Sequence, residues 1–159
     1  MKVLFLCTGN GCRSILGEAV FNHLAPRGWM AMSAGSRPSG YVHPRSLALL
    51  AREAISTDGF ASKSWDDLPH APDIVITVCA SVAGETCPAY LGPVLRAHWG
   101  VLDPAHATGT DDDIDAAFMQ TYRILRARIV AMLGLPLDEL ARDRLRLKAA
   151  LERIGALMA

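Results

Sequence analysis

The chain has 159 residues, of which 51% are hydrophobic and 20% charged, enough for one domain with a sizeable core. Its 16 Lys+Arg and 16 Asp+Glu give a formal net charge of zero. Nucleic-acid and membrane-surface partners usually need a basic excess, so neither is expected; a small anion needs only a local nest of donors.

The first apolar run, Val3-Leu4-Phe5-Leu6, ends in a cysteine. It is shorter than the roughly 7–15 residues of a signal-peptide core, and no stretch reaches the ~20 apolar residues of a membrane span. A cytoplasmic location is expected. There the 4 cysteines, Cys7, Cys12, Cys79 and Cys87, point to catalytic, redox or metal chemistry before structural staples.

Lys2 to Leu6 reads as a buried strand. It runs into Cys7-Thr8-Gly9-Asn10-Gly11-Cys12-Arg13-Ser14, after which Ile15 to Leu24 suits a helix closed by Pro26 and Gly28. A strand, a glycine-bearing loop and a helix start are the parts of an anion cradle, with successive backbone N–H groups converging on one spot. Arg13 adds a planar guanidinium able to hold two oxygens of a tetrahedral oxyanion. Cys7, at the loop entrance, lies in the same positive field, which favours the thiolate. A nucleophilic cysteine facing a bound oxyanion is the expectation.

Trp29 to Ala34 is a second strand and Ser36 to Gly40 a loop. His43 to Ala54 is a helix with Pro44 at an early position. Ser56 to Ser64 is a connection, and Trp65 to Leu68 a single helical turn. Ile74 to Val78 is the clearest strand and ends in Cys79. Ala80 to Gly92, small and polar, reads as a mobile loop carrying Cys87. Val94 to Val101 is a fourth strand, and Asp103-Pro104 marks a turn. Asp111 to Asp113 opens a helix, since the helix dipole favours acids there. Ile114, Phe118, Tyr122, Leu125, Ile129 and Met132 form its apolar face, and Gly134 and Pro136 stop it. The tail places Leu137, Leu140, Leu147, Leu151, Ile154 and Met158 at helical spacing, broken by Arg144, and predicts an amphipathic helix. His98 and Trp99 read as packing residues; His23, His43, His70 and His106 read as solvated or loop residues.

Strands alternating with helices predict an α/β domain of three layers, a parallel sheet with helices on both faces. Right-handed crossovers put the strand ends on one edge. Cys7, Cys79 and Asp103 all follow strands, so they share the crevice where open α/β sheets bind ligands.

The loop resembles the Cys-x5-Arg-Ser motif of the low-molecular-weight protein tyrosine phosphatase superfamily, with Gly9 and Asn10 inside it. Within that superfamily the chain looks most like the thioredoxin-coupled arsenate reductases. Cys79 ends a strand, Cys87-Pro88 follows after a loop, and His98-Trp99-Gly100 precedes Asp103-Pro104. Ala105 stands where the phosphatases usually place an aromatic residue.

The resemblance implies a four-stranded sheet in the flavodoxin-like order 2-1-3-4. It also implies a reductase domain over residues 1–134, and the C-terminal amphipathic helical extension over 135–159 departs from the family's shorter members. The protein would be a monomer, or a homodimer through that extension. Cys7, Arg13, Cys79, Cys87 and Asp103 would be catalytic. Thr8, Gly9, Asn10, Gly11, Cys12, Arg13 and Ser14 would hold arsenate, with phosphate and sulfate fitting the same loop. No bound cofactor and no metal are implied, and the reducing equivalents come from thioredoxin.

In the implied reaction Cys7 attacks arsenic and Asp103 gives a proton to the departing oxygen. Cys79 then attacks Cys7 to form a disulfide, which Cys87 moves into the loop for thioredoxin to reduce. Neighbouring strands lie about 4.8 Å apart and a disulfide needs Cα atoms roughly 4.4–6.8 Å apart, so adjacent strands would bring Cys7 and Cys79 near reach. The Cys79-to-Cys87 loop must bend, and it is slightly longer than in the better-known members.

Two alternatives stand beside this reading. A phosphatase would use only Cys7, Arg13 and Asp103. A non-enzymatic oxyanion-binding protein or thiol redox sensor would bind or oxidise without turnover. A four-cysteine zinc site lacks its short C-x2–4-C pairs. Cys12 is expected to serve structure or protective pairing. Asn10, Glu18, Ser33, Ser64 and Asp66 are similar to positions that hold potassium in some relatives, although Asn10 is read first as a brace of the loop.

Overall fold

The apolar runs assemble into one parallel sheet in the computed structural model, which describes residues 1–79 and 94–158. Its strands are β1 (Lys2–Cys7), β2 (Met30–Gly35), β3 (Ile74–Thr77) and β4 (Leu95–His98), in the order β2-β1-β3-β4. This is the order that the resemblance implied. All pairings are parallel, so the four carboxyl ends lie along one edge. All four residues of β3 and five of the six in β1 are buried, as unbroken apolar strands require when both sheet faces are covered.

Helix α1 (Arg13–Leu24) follows the loop directly. It comes so close to β1 that a Cβ on Gly17 would stand 2.8 Å from the Phe5 ring. Helix α2 (Pro44–Arg52) starts on His43, whose Nδ1 accepts the Arg45 N–H at 3.1 Å. Trp65–Asp67 forms the expected single turn.

The acidic run opens α3 (Asp111–Leu133) through a capping box. Thr110 Oγ1 accepts the Asp113 N–H at 3.1 Å, and the Asp113 carboxylate accepts the Thr110 N–H at 3.0 Å. These hydrogen bonds hold the Asp113 carboxyl below its ordinary range. Helices α1, α2 and α3 pack on one another.

The tail differs from the single helix read from its stripe. A short α4 (Leu137–Leu140) ends at Ala141, and α5 (Arg144–Ile154) restarts on Asp143, whose carboxylate accepts the Arg146 N–H at 3.2 Å. Arg144, the break in the stripe, is therefore a first-turn residue. Leu137, Leu140, Leu147, Leu151 and Ile154 are buried, whereas Met158 lies beyond the helix end and is 65% exposed. Helix α5 packs against β4. Pairing of β4 outlasts its regular geometry, with the Trp99 N–H donating to Thr77 O at 2.7 Å and the Val101 N–H to Val78 O at 3.1 Å. Among the described residues, no helix is long and apolar enough to cross a membrane.

Candidate active site

Cys7 is the last residue of β1, and its buried Sγ is the focus of the loop that follows. The Asn10 N–H donates to Sγ at 3.1 Å, and Ser14 Oγ lies 2.8 Å from it. Asn10 holds Ser14 in place beside the sulfur. Its Oδ1 accepts the Lys63 N–H at 2.8 Å, so its Nδ2 is the atom that donates to Ser14 Oγ at 2.8 Å. The sulfur thus lies against both the Asn10 N–H and the Ser14 hydroxyl. Asn10 is fully buried with φ +50, the left-handed region that Asn tolerates better than most side chains. It is the brace the sequence suggested.

The carbonyls of the loop are taken up from outside. Cys7 O, Thr8 O, Gly9 O and Gly11 O accept N–H groups of Ser36, Arg37, Ser39 and His43, and Ser62 Oγ also donates to Gly9 O. With the carbonyls engaged there, the N–H side is left for the cleft. Gly35 makes this wrapping possible, because a Cβ on it would stand 2.3 Å from Thr8 O. Gly35→Ala is therefore expected to displace the loop, lowering stability by roughly 1–3 kcal/mol. Inorganic phosphate should bind about tenfold more weakly or worse, measured by titration calorimetry beside a thermal melt.

Arg13, the first residue of α1, reaches across to the end of β4. Its Nη1 donates to Val101 O at 3.1 Å and its Nη2 lies 3.3 Å from Asp103 Oδ2. Asp103 also accepts the Ala105 N–H at 3.0 Å, capping the short turn Pro104–His106. A cleft of about 160 Å³ has Cys7, Gly9 to Arg13 and Asp103 in its walls, completed by Ser39, Tyr41, His43 and Ala105. Thr8 and Ser14, the other two loop residues read as oxyanion-binding, are outside that lining. Their side chains face Cys79 and Cys7.

Cys79 follows β3, the neighbour of β1. Its buried Sγ lies 3.3 Å from Thr8 Oγ1, next in sequence to Cys7. Cys87 and the loop read as mobile fall outside the described residues. Burial pushes the Cys12 thiol up to about 12 against an opposing hydrogen bond from Ser46, which keeps it a protonated, supporting group. Sequence reasoning missed Tyr41 and misjudged His43, read as a loop or solvated residue. His43 lines the cleft and its ring lies 4.9 Å from that of Phe118. Burial lowers its pKa, Arg45 adding to the effect and Asp103 opposing it. Its place just before Pro44 at a helix start was the available signal.

The positions similar to potassium ligands carry hydrogen bonds of their own, Ser33 Oγ donating to Glu18 at 2.7 Å. Asn10 Oδ1 is engaged by Lys63, and Ser64 Oγ caps the turn at Trp65. Among the described residues, no group of three His, Cys, Asp or Glu side chains is placed to hold a metal ion.

Glu18 accepts a hydrogen bond from Ser33 Oγ at 2.7 Å. Burial raises its pKa, outweighing the opposing effects of Ser33 and Lys63. A carboxyl raised by folding contributes stability below its unfolded pKa and loses it as pH climbs through the folded value. Glu18→Gln keeps an acceptor for Ser33 without the charge. It should raise the thermal midpoint by a few degrees near pH 7 and leave it unchanged near pH 4.

The low molecular weight phosphotyrosine protein phosphatase family matches residues 2–146. The chain is 36% identical over 129 residues to an arsenate reductase of Bacillus licheniformis, covering 80% of this chain and 91% of the relative. Its fold matches the arsenate reductase of Archaeoglobus fulgidus with TM-score 0.70 at 24% identity, over 84% of this chain and 99% of the other. It matches a thioredoxin-dependent arsenate reductase of Corynebacterium glutamicum with TM-score 0.56 at 28% identity, over 81% of this chain and 61% of the other. A cysteine loop of this geometry, on a sheet of this order and with this breadth of sequence match, makes the chain a member of the low molecular weight phosphotyrosine protein phosphatase family.

Proposed function

We propose that the protein reduces arsenate to arsenite through a cysteine relay reset by thioredoxin. The observation that carries this reading is a second buried thiol beside the nucleophile loop, Cys79 Sγ at 3.3 Å from Thr8 Oγ1. A phosphatase has no use for it. The arsenate reductases among its relatives and the thioredoxin-dependent neighbour from Corynebacterium glutamicum support the same choice. So does Ala105, which lines the cleft at the position where the resemblance gives phosphatases an aromatic residue.

Arsenate enters the loop with its oxygens toward the N–H groups and Arg13, which turns from Asp103 to the stronger anion. Cys7 thiolate attacks arsenic, forming an S–As bond, and one oxygen departs as water after Asp103 supplies a proton. Cys79 thiolate then attacks Cys7 Sγ. The S–As electron pair passes to arsenic, reducing As(V) to As(III), and arsenite leaves behind a Cys7–Cys79 disulfide. Cys87 attacks Cys79 Sγ and releases Cys7 as a thiol. The resulting Cys79–Cys87 disulfide accepts two electrons from the thioredoxin dithiol, a reductant that places the reaction in the cytoplasm.

Arsenate-dependent oxidation of thioredoxin tests the function, and disulfide mapping after a single turnover tests the path. Cys79–Cys87 as the product supports it. Efficient hydrolysis of phosphotyrosine peptides, unaffected by Cys79→Ser, would replace it with the phosphatase reading. Oxidation of the pair without arsenate turnover would mark a redox sensor.

A further inference from the structure

One side chain joins α3, the exit of β4 and the end of the chain. Arg128 is 1% exposed, and no carboxylate among the described residues pairs with it. Carbonyls surround it instead. Nη1 donates to Trp99 O at 2.8 Å and to Gly100 O at 3.4 Å, Nε donates to Leu157 O at 2.9 Å, and Nη2 lies 3.9 Å from Met158 Sδ. A leucine would fill the same space without the cost of desolvating a charge. The guanidinium adds direction, since its planar fork ties two separate backbone segments at set angles.

The same two segments are joined again. Trp99, fully buried, donates its indole N–H to Leu151 O at 2.8 Å, and Lys148 Nζ donates to Arg96 O at 2.6 Å. Gly155 caps α5 with an ordinary φ of −58. Close approach explains its lack of a side chain, because a Cβ would stand 2.6 Å from His98 O and 3.0 Å from Trp99 Cδ1.

The clamped stretch leads straight to the cleft. Trp99 and Gly100 precede Val101, whose carbonyl accepts Arg13, and Asp103, whose carboxylate faces the same guanidinium. Leu102 between them is 90% exposed and packs on little. The stretch that carries Asp103 is anchored by the clamp at Trp99–Gly100, by Val78 and Arg13 at Val101, and by the buried Pro104. We infer that Arg128, with the C-terminal segment around Gly155 and Leu157, is a positioning residue that sets where Asp103 stands over the nucleophile loop. This rests on the reading of Asp103 as general acid.

The test is a double-mutant cycle on the single-turnover rate of arsenite release at saturating arsenate, with phosphate affinity and a thermal melt measured for each variant. Asp103→Asn should slow release by ~10²-fold or more. Arg128→Met should slow it by ~10-fold or more with phosphate affinity within ~3-fold. In the Asp103→Asn background, Arg128→Met should add less than ~3-fold, because a residue that acts through Asp103 has nothing left to position. Gly155→Ala, which leaves Arg128 in place, should slow release by ~3-fold or more and lose that effect in the same background. Should Arg128→Met fail to fold, the Gly155→Ala cycle decides.

Losses that multiply in the double variants, or an Arg128→Met rate within ~2-fold of the wild type, would overturn the positioning role while leaving Asp103 as the acid. An undiminished Asp103→Asn rate, or a wild type that releases no arsenite, would remove the general-acid reading and the inference together.

Discussion

Cys7→Ser is expected to abolish arsenate reduction, by at least ~10⁴-fold, while leaving oxyanion binding within ~3-fold of the wild type. The two readouts separate because the residue's roles are separable. In the proposed reaction binding comes from the loop N–H groups and Arg13, and the serine oxygen can still accept the Asn10 N–H that now reaches Sγ at 3.1 Å. Reaction needs more than an oxygen can give. A serine hydroxyl is a far weaker acid than a thiol, so little nucleophile exists at neutral pH. Nor can oxygen complete a disulfide, so no pair of electrons reaches arsenic by this route. Coupled thioredoxin oxidation measures the rate, and phosphate calorimetry measures the binding. Parallel loss of both would make Cys7 a structural residue of the loop.

The parts of this site that follow one another in sequence were legible without coordinates. The apolar run before Cys7, the glycines after it and the helix start at Arg13 lie within 11 residues, Val3 to Arg13, and a local pattern carries a local structure. Residues acting from a distance were harder to see. Gly35 reads as a strand end, and only the 2.3 Å approach of its absent Cβ to Thr8 O shows it as part of the loop's wall. The brace from Lys63 to Asn10 spans 53 residues, and no spacing rule anticipates it.

Arg128 is an instructive miss. It falls between Leu125, Ile129 and Met132 on the periodic face of α3, so helical geometry places it inside. An arginine there would ordinarily be expected to reach solvent. What overrides that expectation is the set of backbone carbonyls supplied by Trp99, Gly100 and Leu157, which no helical pattern encodes. The tail failed for the opposite reason. Its hydrophobic stripe was read as continuous, although Asp143 three residues before Arg146 carried a local capping signal that divides it.

Cys87→Ala is expected to leave one arsenite released per chain and then stop, with steady-state turnover on thioredoxin reduced by ~100-fold or more. The register of the sheet gives the reason. Strands β1 and β3 are direct neighbours with Leu6 opposite Thr77, which puts Val78 level with Cys7 and Cys79 beside Thr8, the residue after Cys7. In the proposed relay the first disulfide joins Cys7 to Cys79 without Cys87, and arsenite leaves at that step. Resetting the enzyme is a separate problem. Cys7 and Cys79 are each only 3% exposed, so a disulfide between them offers no sulfur to an approaching protein dithiol, whose thiolate must attack along the S–S axis. A third cysteine is needed to carry the oxidation to where a partner can meet it. A small dithiol is not so restricted, and dithiothreitol should restore part of the turnover that thioredoxin cannot. Quenched-flow arsenite release gives the burst, and peptide mapping should find Cys7 joined to Cys79 in the stalled protein. Undiminished multiple turnover on thioredoxin would show that the buried pair is reduced directly and that Cys87 has no part in the relay.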